Sequence, residues 1–301
     1  MEMINGQTKV IGLLGNPVNH SLSPIMQNAA IKEMNLNLCY LAFPCKEREL
    51  SIVLDSMLAI KCQGLNVTIP HKNSIAKLCR ELSPLAKSVG AVNTLLPRKE
   101  GGWYGTNTDI EGFISPLINK KGMSKDKAII IGSGGSARAV LAGLRILEYK
   151  KIIIIARNID SLNKFLADTK NDDKSQRSNI SIIGILASDS NIVTHIQEAN
   201  LIINTTPIGL QKIDHEKNQP QKMPLSEKIW MNLEAKTTLY DLIYVPRPTE
   251  WLKLGKAKGC QTIDGLEMLI QQGAASLRIW TGKDKIPIEL MRKAAEKQLN
   301  I

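Results

Sequence analysis

No run of about 18 apolar residues, the length a helix needs to cross a bilayer, occurs among the 301 residues. The longest aliphatic stretch, Ile152 to Ala156, reads as a buried strand. The start, MEMINGQTKV, has no long apolar core, so a secretory leader is not expected. Cysteine is sparse: Cys39, Cys45, Cys62, Cys79 and Cys260 make an odd number with no CxxC spacing. Single buried thiols in a reducing compartment fit that pattern, which points to the cytoplasm. Four histidines, at 20, 71, 195 and 215, form no HExxH or His/Cys cluster, so no metal site is expected. Aromatic residues are only 4% of the chain. The excess of 39 Lys and Arg over 28 Asp and Glu gives +11 without a dense basic run. Neither nucleic acid nor a membrane is therefore an expected partner, whereas an anionic small molecule is.

What is present is enough apolar material for real cores, 43% of residues, on a chain long enough for two domains. Strands are expected at Val10–Leu14, Leu38–Phe43, Gly64–Ile69 and Ala91–Leu96. Helices are expected from Pro24, over 46–61 and from His71. This alternation predicts an α/β domain with a mostly parallel sheet. A second series follows the polar stretch Asn119–Lys127. Its strands are Lys127–Ile131, Lys151–Ala156, Ile180–Ile185, Leu201–Asn204 and Leu239–Ile243. Its helices are Gly135–Leu147 and Leu162–Asp168. Thr169–Asn179 and Gln211–Pro224 read as surface loops. From Gly265 the chain reads as helical, with Leu266, Leu269, Ile270, Ala274, Leu277 and Trp280 along one side, and a last helix after Pro287 is expected to cover a sheet. The fold class is thus two α/β domains.

The sharpest local signal is Gly132-Ser133-Gly134-Gly135-Ser136-Ala137-Arg138, which leaves an aliphatic strand and enters a helix at once. Glycines there permit a tight turn and let a pyrophosphate approach the helix-start N–H groups. The segment lacks the Lys and Ser/Thr of a GxxxxGK[ST] loop, which disfavours ATP or GTP hydrolysis. The next strand ends Ala156-Arg157-Asn158, where an NAD site usually offers a carboxylate. Arg157 there suits a 2′-phosphate, so the reading is NADP(H). Arg138 and Lys164 are possible additional cations for that phosphate.

Four polar segments punctuate strand ends in the first domain: 15–24 (GNPVNHSLSP), 66–72 (NVTIPHK), 90–94 (GAVNT) and 102–109 (GWYGTNTD). Pro24 suits the first helical position, which makes Ser23 a candidate N-cap. Ser21 and Ser23 together form a candidate carboxylate cradle. Asn66, Asn93 and Asn107 are odd residues at apolar strand ends unless their amides hold loops or ligand hydroxyls. Lys72 and Asp109 supply a cation and a carboxylate, each at a strand end. Spacing alone does not bring them together.

These segments, with 132–138, 204–209 (NTTPIG), 240–244 (YDLIY) and 264–274 (DGLEMLIQQGA), carry a resemblance over nearly the whole length. The chain resembles the shikimate dehydrogenase family. The resemblance implies reversible NADPH-dependent reduction of 3-dehydroshikimate to shikimate, within the chorismate route to aromatic amino acids, by a monomer or homodimer. It also implies the finer division, with residues 1–112 and 265–301 as a substrate domain completed by C-terminal helices and 113–264 as a Rossmann-like nucleotide domain. It implies substrate contacts from Ser21, Ser23, Thr68, Asn93, Tyr244 and Gln272, with Lys72 as the proton-transfer residue and Asp109 as its partner. On the cofactor side it implies Gly132, Ser133, Gly134, Gly135, Ser136, Ala156, Arg157, Asn158, Thr205 and Gly265. The chain departs from the family pattern at Ser161, where a second cation is frequent, and at Val245, where Asn is frequent. Rival readings are a broader quinate/shikimate dehydrogenase using NAD or NADP, and a nucleotide-binding protein without catalysis. A methylene-folate-type dehydrogenase has no support in the polar segments.

Overall fold

The computed structural model describes residues 4–118, 120, 122–172, 180–210 and 223–300. The chain divides into two compact units, Met1–Gly112 with Leu269–Ile301, and Phe113–Met268.

The first unit begins β1 (Lys9–Gly15), α1 (Ser23–Glu33), β2 (Leu38–Pro44), α2 (Leu50–Ala59), β3 (Gly64–Val67) and α3 (Lys72–Leu78). It continues β4 (Glu81–Leu82), α4 (Pro84–Val89), β5 (Thr94–Pro97), β6 (Trp103–Thr106) and the start of α5 (Asp109–Ile118). Its sheet has the order β2-β1-β3-β5-β6-β4. β1 is parallel to β2 and β3, and β4 to β6, whereas β5 runs antiparallel to both neighbours. Three short strands and α4 fall in 79–106, where the sequence suggested a single strand at Ala91–Leu96. That strand begins only at Thr94, because Ala91 to Asn93 are drawn into hydrogen bonds with the loops around them. Leu14, Leu54, Leu65, Val67, Ile75, Leu95 and Trp103 build the core under α2 and α3.

The second unit carries β7 (Lys127–Ile131), α6 (Gly135–Ile146), β8 (Lys151–Ala156), α7 (Ile159–Asp172), β9 (Ser181–Leu186), α8 (Ile192–Glu198) and β10 (Leu201–Asn204). It goes on through α9 (Glu227–Trp230), β11 (Thr238–Asp241), α10 (Glu250–Ala257) and β12 (Gln261–Ile263) into α11 (Gly265–Thr281). The sheet order is β12-β11-β10-β7-β8-β9, with every pairing parallel. Strands buried on both faces must be apolar throughout, which explains the unbroken isoleucines of β7 and β8. Winding outward from β7 in both directions leaves a crevice between β7 and β10, where such sheets accept dinucleotides. Helix α7 is longer than Leu162–Asp168. Thr169 to Asp172 are helical rather than loop, while 173–179 and 211–222 lie outside the described residues.

Helix α11 returns the chain to the first unit, and α12 (Ile288–Gln298) follows. The main packing partner of α12 is α1, not a sheet, and the helix buries Met291 and Ala295 on its covered side. Burial on α11 is broader than an amphipathic stripe: Gly273, Ala274, Ala275, Ser276 and Leu277 are all buried. Further along, Trp280 donates its indole N–H to the Leu95 carbonyl at 3.0 Å. The same ring explains Gly64, since a Cβ there would lie 2.1 Å from Trp280 Nε1. Gly64→Ala is therefore expected to destabilise the chain by about 1–3 kcal/mol through overpacking. Urea unfolding followed by tryptophan fluorescence measures it, and an unchanged midpoint would show that α11 is not seated there.

Candidate active site

Because β5 reverses direction between β3 and β6, the C-terminal ends of β1, β3 and β6 and the start of β5 share one sheet edge. Each of the four polar segments of the first unit emerges at that edge. Lys72 is the first residue of α3, and its carbonyl accepts the Val92 N–H at 2.9 Å. The buried imidazole of His71, one residue earlier, hydrogen-bonds the Cys45 carbonyl through Nε2 at 2.6 Å. Asp109 is the first residue of α5, with its N–H on Asn107 Oδ1 at 3.0 Å. A carboxylate at that position faces the positive end of the helix dipole.

Those constraints bring Lys72 Nζ to 2.5 Å from Asp109 Oδ2. The Asp109 side chain is 8% exposed and that of Lys72 20%. A pair so far removed from water is stable only if its remaining hydrogen-bonding capacity is filled. Asn93 meets part of that need, donating from Nδ2 to Asp109 Oδ1, the oxygen that Lys72 leaves open, at 2.8 Å. Gln272, on α11, turns Oε1 toward Asn93 Nδ2 at 3.4 Å and donates Nε2 to the Leu269 carbonyl at 2.8 Å. Lys72, Asp109, Asn93 and Gln272 thus form one hydrogen-bonded group.

The other expected substrate residues are placed differently. Ser23 is not a side-chain cap, because the helix already starts at Ser23 and Leu22 holds the cap position. Instead the Ser21 hydroxyl accepts the Ser23 N–H at 3.1 Å, which leaves its own proton to donate outward. The Ser23 hydroxyl is buried against the Tyr40 phenol. Thr68 packs its methyl over Gly15, where a Cβ would lie 2.3 Å from Thr68 Cγ2. Of the odd asparagines, Asn107 holds the Ala91 carbonyl and the Asp109 N–H, which is a loop-building role. Tyr244 belongs to the second unit, just after β11, where burial pushes its phenol pKa up.

In the second unit, Gly132 has φ +114° and sits where a Cβ would be 2.5 Å from Thr205 Oγ1. Thr205 Oγ1 in turn donates to the Ile131 carbonyl at 2.7 Å, so the β10 end braces the β7 turn. Gly134 is different: nothing lies within 4 Å of the position its Cβ would take, and it starts α6 without a side-chain cap. Protein packing does not demand a glycine there, but a phosphate approaching Gly135 and Ser136 does. Arg157 follows buried Ala156 and is exposed, with no ion-pair partner among the described residues. Asn158 caps α7 by accepting the Ser161 N–H at 2.9 Å, and Ser133 donates to Ser161 Oγ at 3.1 Å. Arg138 is not a free cation for a phosphate: Asp168 holds it at 2.6 Å, and it lies over the Phe165 ring. Gly265 is a glycine for a local reason, since a Cβ would meet the Leu242 carbonyl oxygen at 2.1 Å. The residues fit a dinucleotide carrying a 2′-phosphate.

The description "Shikimate dehydrogenase substrate binding domain" belongs to a family model matching residues 13–95, and "Shikimate 5'-dehydrogenase C-terminal domain" to one matching 265–296. The shikimate dehydrogenase (NADP(+)) of Prochlorococcus marinus strain MIT 9515 is 48% identical over 297 residues, 99% of this chain and 100% of that protein. The chain belongs to the shikimate dehydrogenase family. A crystal structure of a shikimate dehydrogenase in complex with NADP+ matches with a TM-score of 0.83 at 36% identity, covering 98% of this chain and 97% of that one. The Thermus thermophilus shikimate 5-dehydrogenase in complex with NADP(H) and shikimate matches with a TM-score of 0.79 at 28% identity, covering 96% and 99%. The three polar segments at 15–24, 66–72 and 90–94 fall inside the first matched region of this family member. The segment carrying Asp109 and the glycine turn at 132–135 lie outside both regions, and the geometry above is what ties Asp109 to the rest.

Sequence reasoning missed Asp241, at the end of β11. Its carboxylate is fully buried and accepts from Asn204 Nδ2 at 3.0 Å, the Ile243 N–H at 3.1 Å and Thr249 Oγ1 at 2.8 Å. It ties the turn after β10 to the turn after β11. Burial raises its pKa from 3.8 to about 6, against the opposing pull of those donors. A folded-state pKa above the unfolded value means the folded chain binds the proton more tightly. Stability from this group is therefore greatest below pH about 4 and is lost as pH rises through about 6, by up to about 3 kcal/mol. Asp241→Asn keeps an acceptor for Asn204 and Ile243, and Thr249 can turn to accept. Urea midpoints at pH 5, 6 and 7 are expected to depend less on pH in that variant, and parallel curves would contradict it.

Proposed function

We propose that the chain catalyses the reversible NADP(H)-dependent reduction of 3-dehydroshikimate to shikimate, with Lys72 moving the proton and Asp109 orienting it. The observation that carries this is the Lys72–Asp109 contact of 2.5 Å at the shared sheet edge, in a family member alignable over nearly its full length. NADPH, when bound, supplies hydride to the ring ketone. Negative charge then grows on the ketone oxygen, and an ammonium within hydrogen-bond reach stabilises it and delivers a proton. Lys72 is partly accessible while Asp109 is not, so the ammonium is the member of the pair that reaches a substrate. Asp109 keeps that ammonium from swinging away and, in the reverse direction, stabilises it once it has taken the alcohol proton.

Ser21, Ser23, Thr68, Asn93, Tyr244 and Gln272 are our assignments for the substrate. The outward proton of Ser21 suits the substrate carboxylate, and the amides of Asn93 and Gln272 suit ring hydroxyls. Gly132 to Ser136, Thr205 and Gly265 are assigned to the dinucleotide, with Ala156, Arg157 and Asn158 at its adenosine end. Residues 1–112 with 265–301 serve the substrate and 113–264 the cofactor. Among the described residues no helix is long and apolar enough to cross a membrane, and all five cysteines are free. We assign the protein to the cytoplasm on the strength of those thiols.

Two variants test the assignments by absorbance at 340 nm. Lys72→Ala is expected to lower kcat by about 10²–10⁴-fold, the usual contribution of general acid–base catalysis, with little change in the KM for shikimate. A raised KM with kcat preserved would make Lys72 an anchor instead. Arg157→Ala is expected to raise the KM for NADPH about tenfold or more while leaving that for NADH nearly unchanged, because only NADPH carries the 2′-phosphate. Equal effects on both would reject the arginine's role.

A further inference from the structure

Behind the reacting pair lies a cluster of hydroxyl and amide groups that the reaction itself does not use. Ser276 is on α11 and is 0% exposed. Its Oγ lies 2.9 Å from Asn66 Nδ2, 2.9 Å from Thr94 Oγ1 and 3.1 Å from Thr108 Oγ1. It also donates to the Gln272 carbonyl, four residues earlier, at 3.0 Å. We propose that Ser276 is a positioning residue for the Lys72–Asp109 pair, acting through Thr108, Thr94 and Asn93. The inference rests on the reading that this pair moves the substrate proton.

A backbone N–H only donates, and that of Thr108 goes to Asn93 Oδ1 at 2.7 Å. This fixes which end of the Asn93 amide is which, so Nδ2 must face Asp109 Oδ1 and Thr108 Oγ1, at 2.8 and 3.0 Å. Asn93 Oδ1 also lies 2.9 Å from Thr94 Oγ1 and 3.2 Å from Thr108 Oγ1. The two threonine hydroxyls thus have Asn93 Oδ1 and Ser276 Oγ as buried acceptors, besides a longer contact of 3.2 Å with each other. Tyr40 completes the far side by donating to Asn66 Oδ1 at 2.8 Å, which leaves Asn66 Nδ2 to donate to the Asn93 carbonyl and to Ser276.

Without the serine oxygen, the threonine protons are left with Asn93 Oδ1, which already holds a backbone N–H, and with the 3.2 Å contact between the two hydroxyls, so the hydroxyl and amide rotations must rearrange. Buried donors without acceptors are costly, and networks of this kind relax together rather than singly. The amide that relaxes is the one that holds Asp109 Oδ1. Asp109 then loses the donor that fixes its rotation, and Lys72 loses its fixed partner. A displacement of that kind slows the chemical step far more than it weakens binding.

Ser276→Ala, Thr108→Val, the double variant and Thr108→Ser test this in the full-length chain with shikimate and NADP+. Ser276→Ala and Thr108→Val are each expected to lower kcat by about ten- to a hundredfold, with the KM for shikimate within about twofold. The double variant is expected to be no worse than about twofold below the poorer single one, because both act through one link. Thr108→Ser, which restores the hydroxyl, is expected to recover most of kcat. A Ser276→Ala enzyme with parental kcat, effects that multiply in the double variant, or no recovery in Thr108→Ser would overturn the proposal. If Ser276→Ala does not fold, the Thr108 pair decides alone, and recovery by serine is then the supporting result. Absence of shikimate-dependent NADP+ reduction in the parent chain is failure of the functional reading instead. In that case crystal structures of the parent and Ser276→Ala decide, and an unmoved Asn93–Asp109 contact in the variant counts against the proposal.

Discussion

The contact between Lys72 and Asp109 governs the construction of the first unit. Two opposite charges withdrawn from water attract strongly, yet the cost of removing their hydration is of the same order. The contact holds because each oxygen of the carboxylate has a donor of its own. Lys72 occupies Oδ2, Asn93 occupies Oδ1, and the helix start of α5 lies behind both. Meeting those demands requires residues from β3, β5, β6 and α11 at one place. A wholly parallel sheet would not put the start of β5 beside the ends of β3 and β6. The reversal at β5 is the topological feature that does so.

Legibility in the sequence followed the range of the forces involved. Strands buried on both faces announce themselves as aliphatic runs, so β7, β8 and β10 were readable almost to the residue. The short strands β4 and β6 were not, because two and four residues are too few to show a period. Lys72 and Asp109 were readable as a cation and an acid at strand ends, and their partnership came only from resemblance. Thirty-seven residues separate them, and no local pattern encodes a contact over that distance. Ser276 was invisible for another reason. A single serine within a helix reads as neutral filler, and its value comes from three groups contributed by distant segments, those of Asn66, Thr94 and Thr108. Ser23 shows the converse failure, where a sound local rule assigned a cap that the helix start, one residue early, made unnecessary.

The glycines separate packing from binding. Gly64 and Gly265 leave room for an indole and a carbonyl of the chain itself. Gly132 combines a positive φ with the brace from Thr205. Gly134 faces open space at an uncapped helix start, so a constraint from outside the chain accounts best for its lack of a side chain. The case for a phosphate is therefore made by the glycine that the fold does not need. Arg157 strengthens it in the same way, as a cation left unpaired among the described residues while nearby Arg138 is held by Asp168.

Two buried carboxylates, Asp109 and Asp241, show how surroundings divide labour between identical groups. Asp241 has three neutral donors and no cation, and burial lifts its pKa to about 6. It braces two turns and has no ion-pair partner among the described residues. Asp109 has fewer donors but one of them is an ammonium with access to solvent. That single difference converts a structural acceptor into one half of a proton-transfer pair. It also makes the geometry around Asp109 more demanding, since a rotated carboxylate still braces a helix but no longer aims a lysine. The density of buried hydroxyls and amides behind Asp109 is thus what a reacting carboxylate needs, and it exceeds what the fold alone requires.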